Sequence, residues 1–228
     1  MARKAGILYA VTDEGLELRQ SAGGMPILSA QLRLQDMARL LADALAPTLL
    51  LEPSRDLYLL DIGTGPPAVC LNALILLRRG HPGALEDRRV VIASLDGEGD
   101  GDGDGAGVDA LSKMQSWKGP LAGLNIRIDH RLYDWTGMVG LEPALLEIDR
   151  HDALAAAAAG NGLFEHGTDE EILGSLAALR EVMLIVASVT RGLDEFRALV
   201  TLAGYDLGRV IERPFGTQVL LACRQVLI

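Results

Sequence analysis

A run of six residues, Leu57-Tyr58-Leu59-Leu60-Asp61-Ile62, opens directly onto Gly63-Thr64-Gly65-Pro66-Pro67 and then onto Val69, Leu71, Leu74, Ile75 and Leu77 at helical spacing. The run is apolar but for its fifth residue and is bounded upstream by Glu52-Pro53-Ser54-Arg55-Asp56. That pattern fits a short strand buried on both faces of a parallel sheet. Gly63 and Gly65 can take backbone angles closed to other residues and would let a ligand approach the main chain. Pro67 suits a first helical turn, where its missing N–H has no intrahelical role. The stretch is therefore a strand, a tight turn and a helix whose first amides face whatever binds at the strand end.

Asp61, Gly63 and Gly65 match motif I of the class I S-adenosylmethionine-dependent methyltransferases, an acidic residue followed by Gly-x-Gly-x-Gly, and Pro67 stands where the third glycine would be. The stretch resembles that motif, and the resemblance implies S-adenosylmethionine held by Asp61, Gly63, Thr64 and Gly65. Other nucleotide-binding folds share the same strand, turn and helix, and so does a plain tight turn.

A chain of 228 residues accommodates one α/β domain with a full core, or two small ones, and one is favoured. The expected organisation is an N-terminal cap over residues 1–50 followed by the cofactor-binding domain over 51–228. Hydrophobic residues make up 49% of the chain, yet the apolar runs stop short of the ~20 residues a membrane span needs. Arg3 and Lys4 are not followed by a long apolar region, so no secretory signal is expected and the location is read as cytoplasmic, with no membrane partner. The net charge of -10 would repel a phosphate backbone, which argues against a nucleic-acid partner. Cys70 and Cys223 lie in apolar contexts and read as reduced thiols rather than a disulfide, a nucleophile or metal ligands.

Residues 6–20 alternate as a strand, a turn and a second strand, and a helical pattern runs from Ser29 to Pro47. In many small-molecule methyltransferases the segment ahead of motif I folds over the cofactor and shapes the substrate pocket. The resemblance makes Tyr9, Met25 and Gln31 candidate substrate contacts; the other reading is that they pack the cap onto the sheet. Arg89–Asp96 reads as a second buried strand ending in a carboxylate. An acidic side chain at that tip accepts both ribose hydroxyls in dinucleotide and S-adenosylmethionine folds, so Asp96, with Gly97 after it, is a candidate cofactor contact. Asp61 and Asp96 are 35 residues apart, against a usual spacing of ~20, so the intervening connection is extended. The acidic, glycine-rich stretch 97–107 matches the first half of a calcium loop, but Leu111 stands where a bidentate Glu is required. A solvated loop is expected there.

Val108–Lys118 reads as a helix and Leu124–Tyr133 as a third, more exposed strand. Asp134-Trp135 follows it, and the resemblance implies that this pair holds the adenine, the carboxylate on the exocyclic amine and the ring stacked beside it. The alternative is a Trp covering the sheet edge and an Asp capping a helix. Residues 141–149 read as a helix. The alanine run 152–159 would form a helix on propensity alone, but its place in the order makes it the fourth strand. The loop Gly160–Gly167 and a capped helix from Thr168 follow. That order is similar to the family's motif IV, which places Asn161 near the cofactor and His166 as a general-base candidate with Glu165 orienting it or the substrate. A surface His beside a helix start is the other reading, since many methyl transfers need only positioning.

Residues 183–189 read as the fifth strand and 193–204 as an amphipathic helix. Two adjacent strands close the chain, 205–213 and 218–223. An α/β chain ending in an antiparallel hairpin resembles the last two strands of class I methyltransferases. The expected fold is α/β: a Rossmann-like, seven-stranded mixed sheet with helices on both faces, an antiparallel last strand and a small N-terminal cap. The expected activity is S-adenosylmethionine-dependent methylation of a small molecule on oxygen, nitrogen or carbon, with no metal implied and with room for a homodimer. The alternatives are a non-catalytic binding module on the same fold and an NAD(P)-dependent oxidoreductase.

Overall fold

The computed structural model describes residues 7–12, 15–20, 26–63, 66–96, 103–134, 140–160, 163–214 and 216–224. An antiparallel hairpin, β1 (Ile7–Thr12) and β2 (Gly15–Gln20), comes first, as the alternation predicts. The large sheet is built from β3 (Leu57–Ile62), β4 (Arg89–Asp96), β5 (Asn125–Leu132), β6 (Leu154–Ala159), β7 (Leu184–Val189), β8 (Tyr205–Arg213) and β9 (Gly216–Cys223). Its order is β5-β4-β3-β6-β7-β9-β8. β3, β4, β5, β6 and β7 are parallel, and β9 runs antiparallel to both of its neighbours. The order reverses beside β3, which puts a crevice at the carboxyl end of the first central strand, where open α/β sheets bind ligands.

Helices α1 (Pro26–Leu51), α2 (Ala68–Gly80) and α3 (Gly103–Gln115) cover one face. Helices α4 (Leu141–Arg150), α6 (Asp169–Ala178) and α7 (Leu193–Leu202) cover the other, with the single turn α5 (Leu163–His166) ahead of α6. The hairpin packs against the first layer. Strand β6 is alanine from its second residue to its last and is buried throughout. Leu154, Ala156 and Ala158 face the first layer, and Ala155, Ala157 and Ala159 the second. Methyl side chains let both layers come close to the centre of the sheet, so tertiary packing overrides the helical propensity of this run.

Apart from shifts of one or two residues at other element ends, three differences from the sequence expectation have a physical reason. Helix α1 begins at Pro26 instead of Ser29 and continues through Pro47 to Leu51. A proline inside a helix frees the carbonyl four residues before it. Pro47 and Asp43 are both exposed, so the freed carbonyl lies on the solvent side while Leu45, Ala46 and Leu49 stay in the core. The second difference lies in the acidic stretch: Gly103–Gly107 is the first part of α3 and not loop, and residues 97–102 lie outside the described ones. Leu111, where a calcium loop needs its carboxylate, is a buried core residue of α3. The third is the end of that helix, at Gln115 instead of Lys118, whose φ of 92° is left-handed and cannot continue it.

Arg88 fastens the lower end of the first layer. It is 3% exposed, and its guanidinium donates to the carbonyls of Ala84 (3.1 Å), Leu49 (2.8 Å), Glu52 (2.8 Å) and Arg55. The carbonyls of Leu49, Glu52 and Arg55 close α1 and lead into β3, and that of Ala84 lies in the turn before β4, so one side chain satisfies acceptors that a helix end leaves open and ties them to β4. Arg88→Met keeps the stem and removes all the donors. Urea denaturation should show a loss of roughly 3 kcal/mol or more, because buried carbonyls left unpaired are costly; a loss under about 1 kcal/mol would contradict this role.

Candidate functional site at the carboxyl ends of three strands

The carboxyl ends of β3, β4 and β5 are flush. The Gly63 N–H donates to the Leu95 carbonyl at 3.1 Å, and the Tyr133 N–H donates to the Asp96 carbonyl at 2.8 Å. Asp61, Asp96 and Asp134 therefore stand at neighbouring strand ends, Asp61 opposite Ser94 and Asp134 two residues past the partner of Asp96. Adjacent strands lie just under 5 Å apart and rise about 3.3 Å per residue, and each acid stands two residues further along than the last, so the three form a diagonal of about 16 Å. Asp96 is buried at its strand tip and Asp134 is exposed. The chain that leaves at Asp134 comes back at Gly140, whose φ is 90° and where a Cβ would stand 2.0 Å from the Leu132 carbonyl oxygen. Only glycine fits that return.

At the other end of the row, the Asp61 carboxylate meets the first turn of α2. Burial pushes its pKa up to about 7, against the pull of the Cys70 thiol and backbone N–H beside it, and its Oδ2 is enclosed with no partner among the described residues. Burial, with the neighbouring Asp61 carboxylate, in turn pushes the Cys70 thiol well above its ordinary value. Cys70 is a buried thiol outside any disulfide, as the apolar context predicts, and Cys223, also outside any disulfide, is half-buried. The start of α2 offers few amides to a ligand. Pro66 and Pro67 have no N–H, the Ala68 N–H is taken by the Pro66 carbonyl at 2.6 Å, and Cys70 faces Asp61.

Glu165 and His166 lie on α5, just after β6. The Glu165 carboxylate is engaged from across the fold: the Arg33 guanidinium of α1 donates to Oε1 at 2.6 Å. Oε2 is 3.9 Å from His166 Nε2, and the His166 side chain is 74% exposed. Glu165 thus ties α5 to α1 first and touches His166 only loosely. The Thr190 hydroxyl donates to the Glu165 carbonyl at 3.2 Å and adds a tie to the end of β7. Arg33 is a site residue that sequence reasoning missed, because nothing local links α1 to a residue 132 positions later. Gln31 is half-buried on α1, two residues from Arg33. Tyr9 lies in β1, but its side chain is outside the described residues, as are Met25, Thr64, Gly65, Gly97, Trp135 and Asn161.

No family model and no curated protein matches the chain. Solved structures do. Magnesium protoporphyrin IX methyltransferase from Synechocystis PCC 6803, with bound S-adenosylmethionine, is 13% identical, with a TM-score of 0.48 over 89% of this chain and 86% of that one. A pyocyanin biosynthetic protein is 16% identical, with a TM-score of 0.46 over 79% of this chain, which spans 55% of that protein's length. M. capricolum TrmK, in complex with S-adenosyl-homocysteine, is 12% identical, with a TM-score of 0.45 over 84% of this chain and 68% of that one. The assignment of the fold stands on the strand order itself.

The Asp61 environment fixes the sign of a pH effect. A carboxyl whose pKa rises from 3.8 to about 7 on folding binds its proton more tightly in the folded chain. Its contribution is fully favourable below about pH 4 and is lost as the pH climbs through 7, a difference of order 4 kcal/mol. Asp61→Asn keeps an acceptor for Cys70 and removes the titration. The two proteins should unfold with similar free energy at pH 4, and the variant should be the more stable by a few kcal/mol at pH 8, as read by urea denaturation across that range. A constant difference would show that Asp61 is not held neutral.

Proposed function

We propose that this protein transfers a methyl group from S-adenosylmethionine to a small molecule. The observation that carries the reading is the row of carboxylates at the ends of β3, β4 and β5, set beside a helix start with two prolines. A pyrophosphate at this crevice would need free amides at the start of α2. It would meet Pro66, Pro67 and the Asp61 carboxylate instead, which counts against a nicotinamide dinucleotide. An adenosyl group carrying a sulfonium and an ammonium brings cations to the same acids, which favours it.

The residues suit that ligand in order along the row. Asp96, buried at the tip of β4, would accept hydrogen bonds from the ribose hydroxyls, and the exposed Asp134 a hydrogen bond from the adenine amine. Gly63, Thr64 and Gly65 are the residues that would meet the amino-acid end in this reading, with Asp61 two residues before Gly63. When bound, S-adenosylmethionine supplies an activated methyl group, so the chain's own task is to align an acceptor and to take or release a proton. His166, at the end of α5 beside β6, is the group we assign to proton transfer, and the Arg33–Glu165 pair holds α5 in place. Trp135, Asn161 and Gly97 would add cofactor contacts in this reading, and Tyr9, Met25 and Gln31 are its candidate substrate contacts.

A small-molecule acceptor is favoured over nucleic acid by the net charge of -10, which would oppose a phosphate backbone at the mouth of an already acidic crevice. Isothermal titration tests the reading with S-adenosylmethionine, S-adenosyl-homocysteine and NADH, each on the natural protein and on Asp96→Ala. Both adenosyl ligands should bind saturably, and the substitution should weaken them by about 10-fold to 100-fold, the worth of hydrogen bonds to a buried carboxylate. Binding of NADH alone would overturn the proposal in favour of an oxidoreductase. Adenosyl binding without turnover across a broad panel of acceptors would favour a non-catalytic module.

A further inference from the structure

Two polar side chains are sealed under α1 at the substrate end of the sheet. Gln218 of β9 is 0% exposed and Ser188 of β7 is 1% exposed. They are register partners on adjacent strands. Strand alternation puts Ser188 with Leu184 and Val186, and Gln218 with Leu220, which pack with the layer that contains α1. The Gln218 Nε2 and Oε1 and the Ser188 Oγ are all buried, and none has a hydrogen-bond partner among the described residues. Leaving one such atom unpaired is costly, and burying three together is contrary to how interiors are built.

Their surroundings have the form of a site. Two ion pairs, one helical turn apart on α1, stand on either side of the pair. Arg33 binds Glu165 at 2.6 Å, beside Thr190 and so two residues past Ser188. Asp36 accepts two hydrogen bonds from Arg213, at 2.9 and 3.1 Å, and Arg213 pairs with Gly216, two residues before Gln218. The charges there are matched with each other, so the unpaired atoms call for a neutral partner. A primary carboxamide such as Gln218 offers one donor and one acceptor side by side, and its complement is a ligand edge with an acceptor and a donor in the same spacing.

We propose that Ser188 and Gln218 form the recognition floor for a neutral substrate that carries an adjacent N–H and C=O, a primary amide or a lactam. The inference rests on the methyltransferase reading for the identity of that ligand as substrate, and names its chemical class. Glu165 and Arg33 form the rim. The Arg33 side chain is 25% exposed against 9% for Glu165, which makes Arg33 the solvent-facing member of this rim. A lactam paired with Gln218 satisfies both amide atoms at once, and the Ser188 hydroxyl can turn as donor or acceptor to the same group. An analogue without the N–H leaves a buried carbonyl unpaired, which is the stronger form of discrimination.

The probes are 2-pyridone and N-methyl-2-pyridone, titrated into the full chain by calorimetry with S-adenosyl-homocysteine run in parallel. Expected are saturable binding of 2-pyridone, binding of N-methyl-2-pyridone weaker by about ten-fold or more, and a similar loss for 2-pyridone in Gln218→Leu with S-adenosyl-homocysteine affinity unchanged. Should Gln218→Leu lose its cooperative melt, Ser188→Ala decides the matter, with an expected loss of about three-fold or more. Equal binding of the two pyridones, natural affinity in the variants, or no pyridone binding by a chain that binds S-adenosyl-homocysteine would overturn the inference. Pyridone binding by a chain that ignores S-adenosyl-homocysteine would support the floor and count against the proposed activity instead.

Discussion

The constraint on which the rest depends is that β3 is buried on both faces. Its side chains are fully enclosed except at Asp61, which is half-buried, and β4 and β6 flank it in parallel. In such a position a polar group finds no water beside the strand, so chemistry has to be placed where the strand ends. The same holds for β4, whose acidic residue is its last, and for β6, which has no polar side chain at all. The crevice at the carboxyl ends is thus a consequence of how the sheet is covered. Asp61 is the residue that tests the rule from inside, and the protein accommodates it by holding the carboxyl close to neutrality.

Helix α1 connects that sheet to the site. One stripe of it, from Leu34 through Met37, Leu41 and Leu45 to Leu49, belongs to the same core as α2 and β3. Another row, Arg33, Asp36 and Asp43, reaches α5 and β8 as ion pairs with Glu165, Arg213 and Arg209. Exposed pairs such as Asp43 with Arg209 contribute little. The Arg33–Glu165 and Asp36–Arg213 pairs are more enclosed on the acidic side, and their geometry sets the position of α5 and the last hairpin relative to α1.

Most of the fold was legible in the sequence because its strands are short apolar runs with clear punctuation. β3 and β4 begin and end where the residue pattern places them, and the capping box at Thr168 with Glu171 marks α6 as the motif suggests. The alanine strand was legible only from its place in the order, since its residues alone favour a helix. Pro47 misled because a proline ends a helix only when the carbonyl it frees has nowhere to go, and exposure is invisible in one dimension. The site was half legible. Acids at strand ends follow from local pattern. Arg33 with Glu165, and Ser188 beside Gln218, depend on register and on contacts between distant segments, which no local pattern carries.

The acidic crevice and the neutral floor divide recognition between them by physical means. Charges attract over several ångströms, about 1 kcal/mol at 4 Å in water and several times that in a partly enclosed site, so a row of carboxylates draws in a cation but says little about its shape. An enclosed amide attracts nothing at a distance and discriminates sharply on contact, because the wrong partner leaves buried atoms unpaired. Asp61 belongs to the first kind with a modification. With its pKa about 7 it is only partly ionised near neutrality, and a cation arriving beside it favours the charged form. The crevice therefore carries its full negative charge when a cation fills it, and the enclosed carboxyl is closest to neutral when none does.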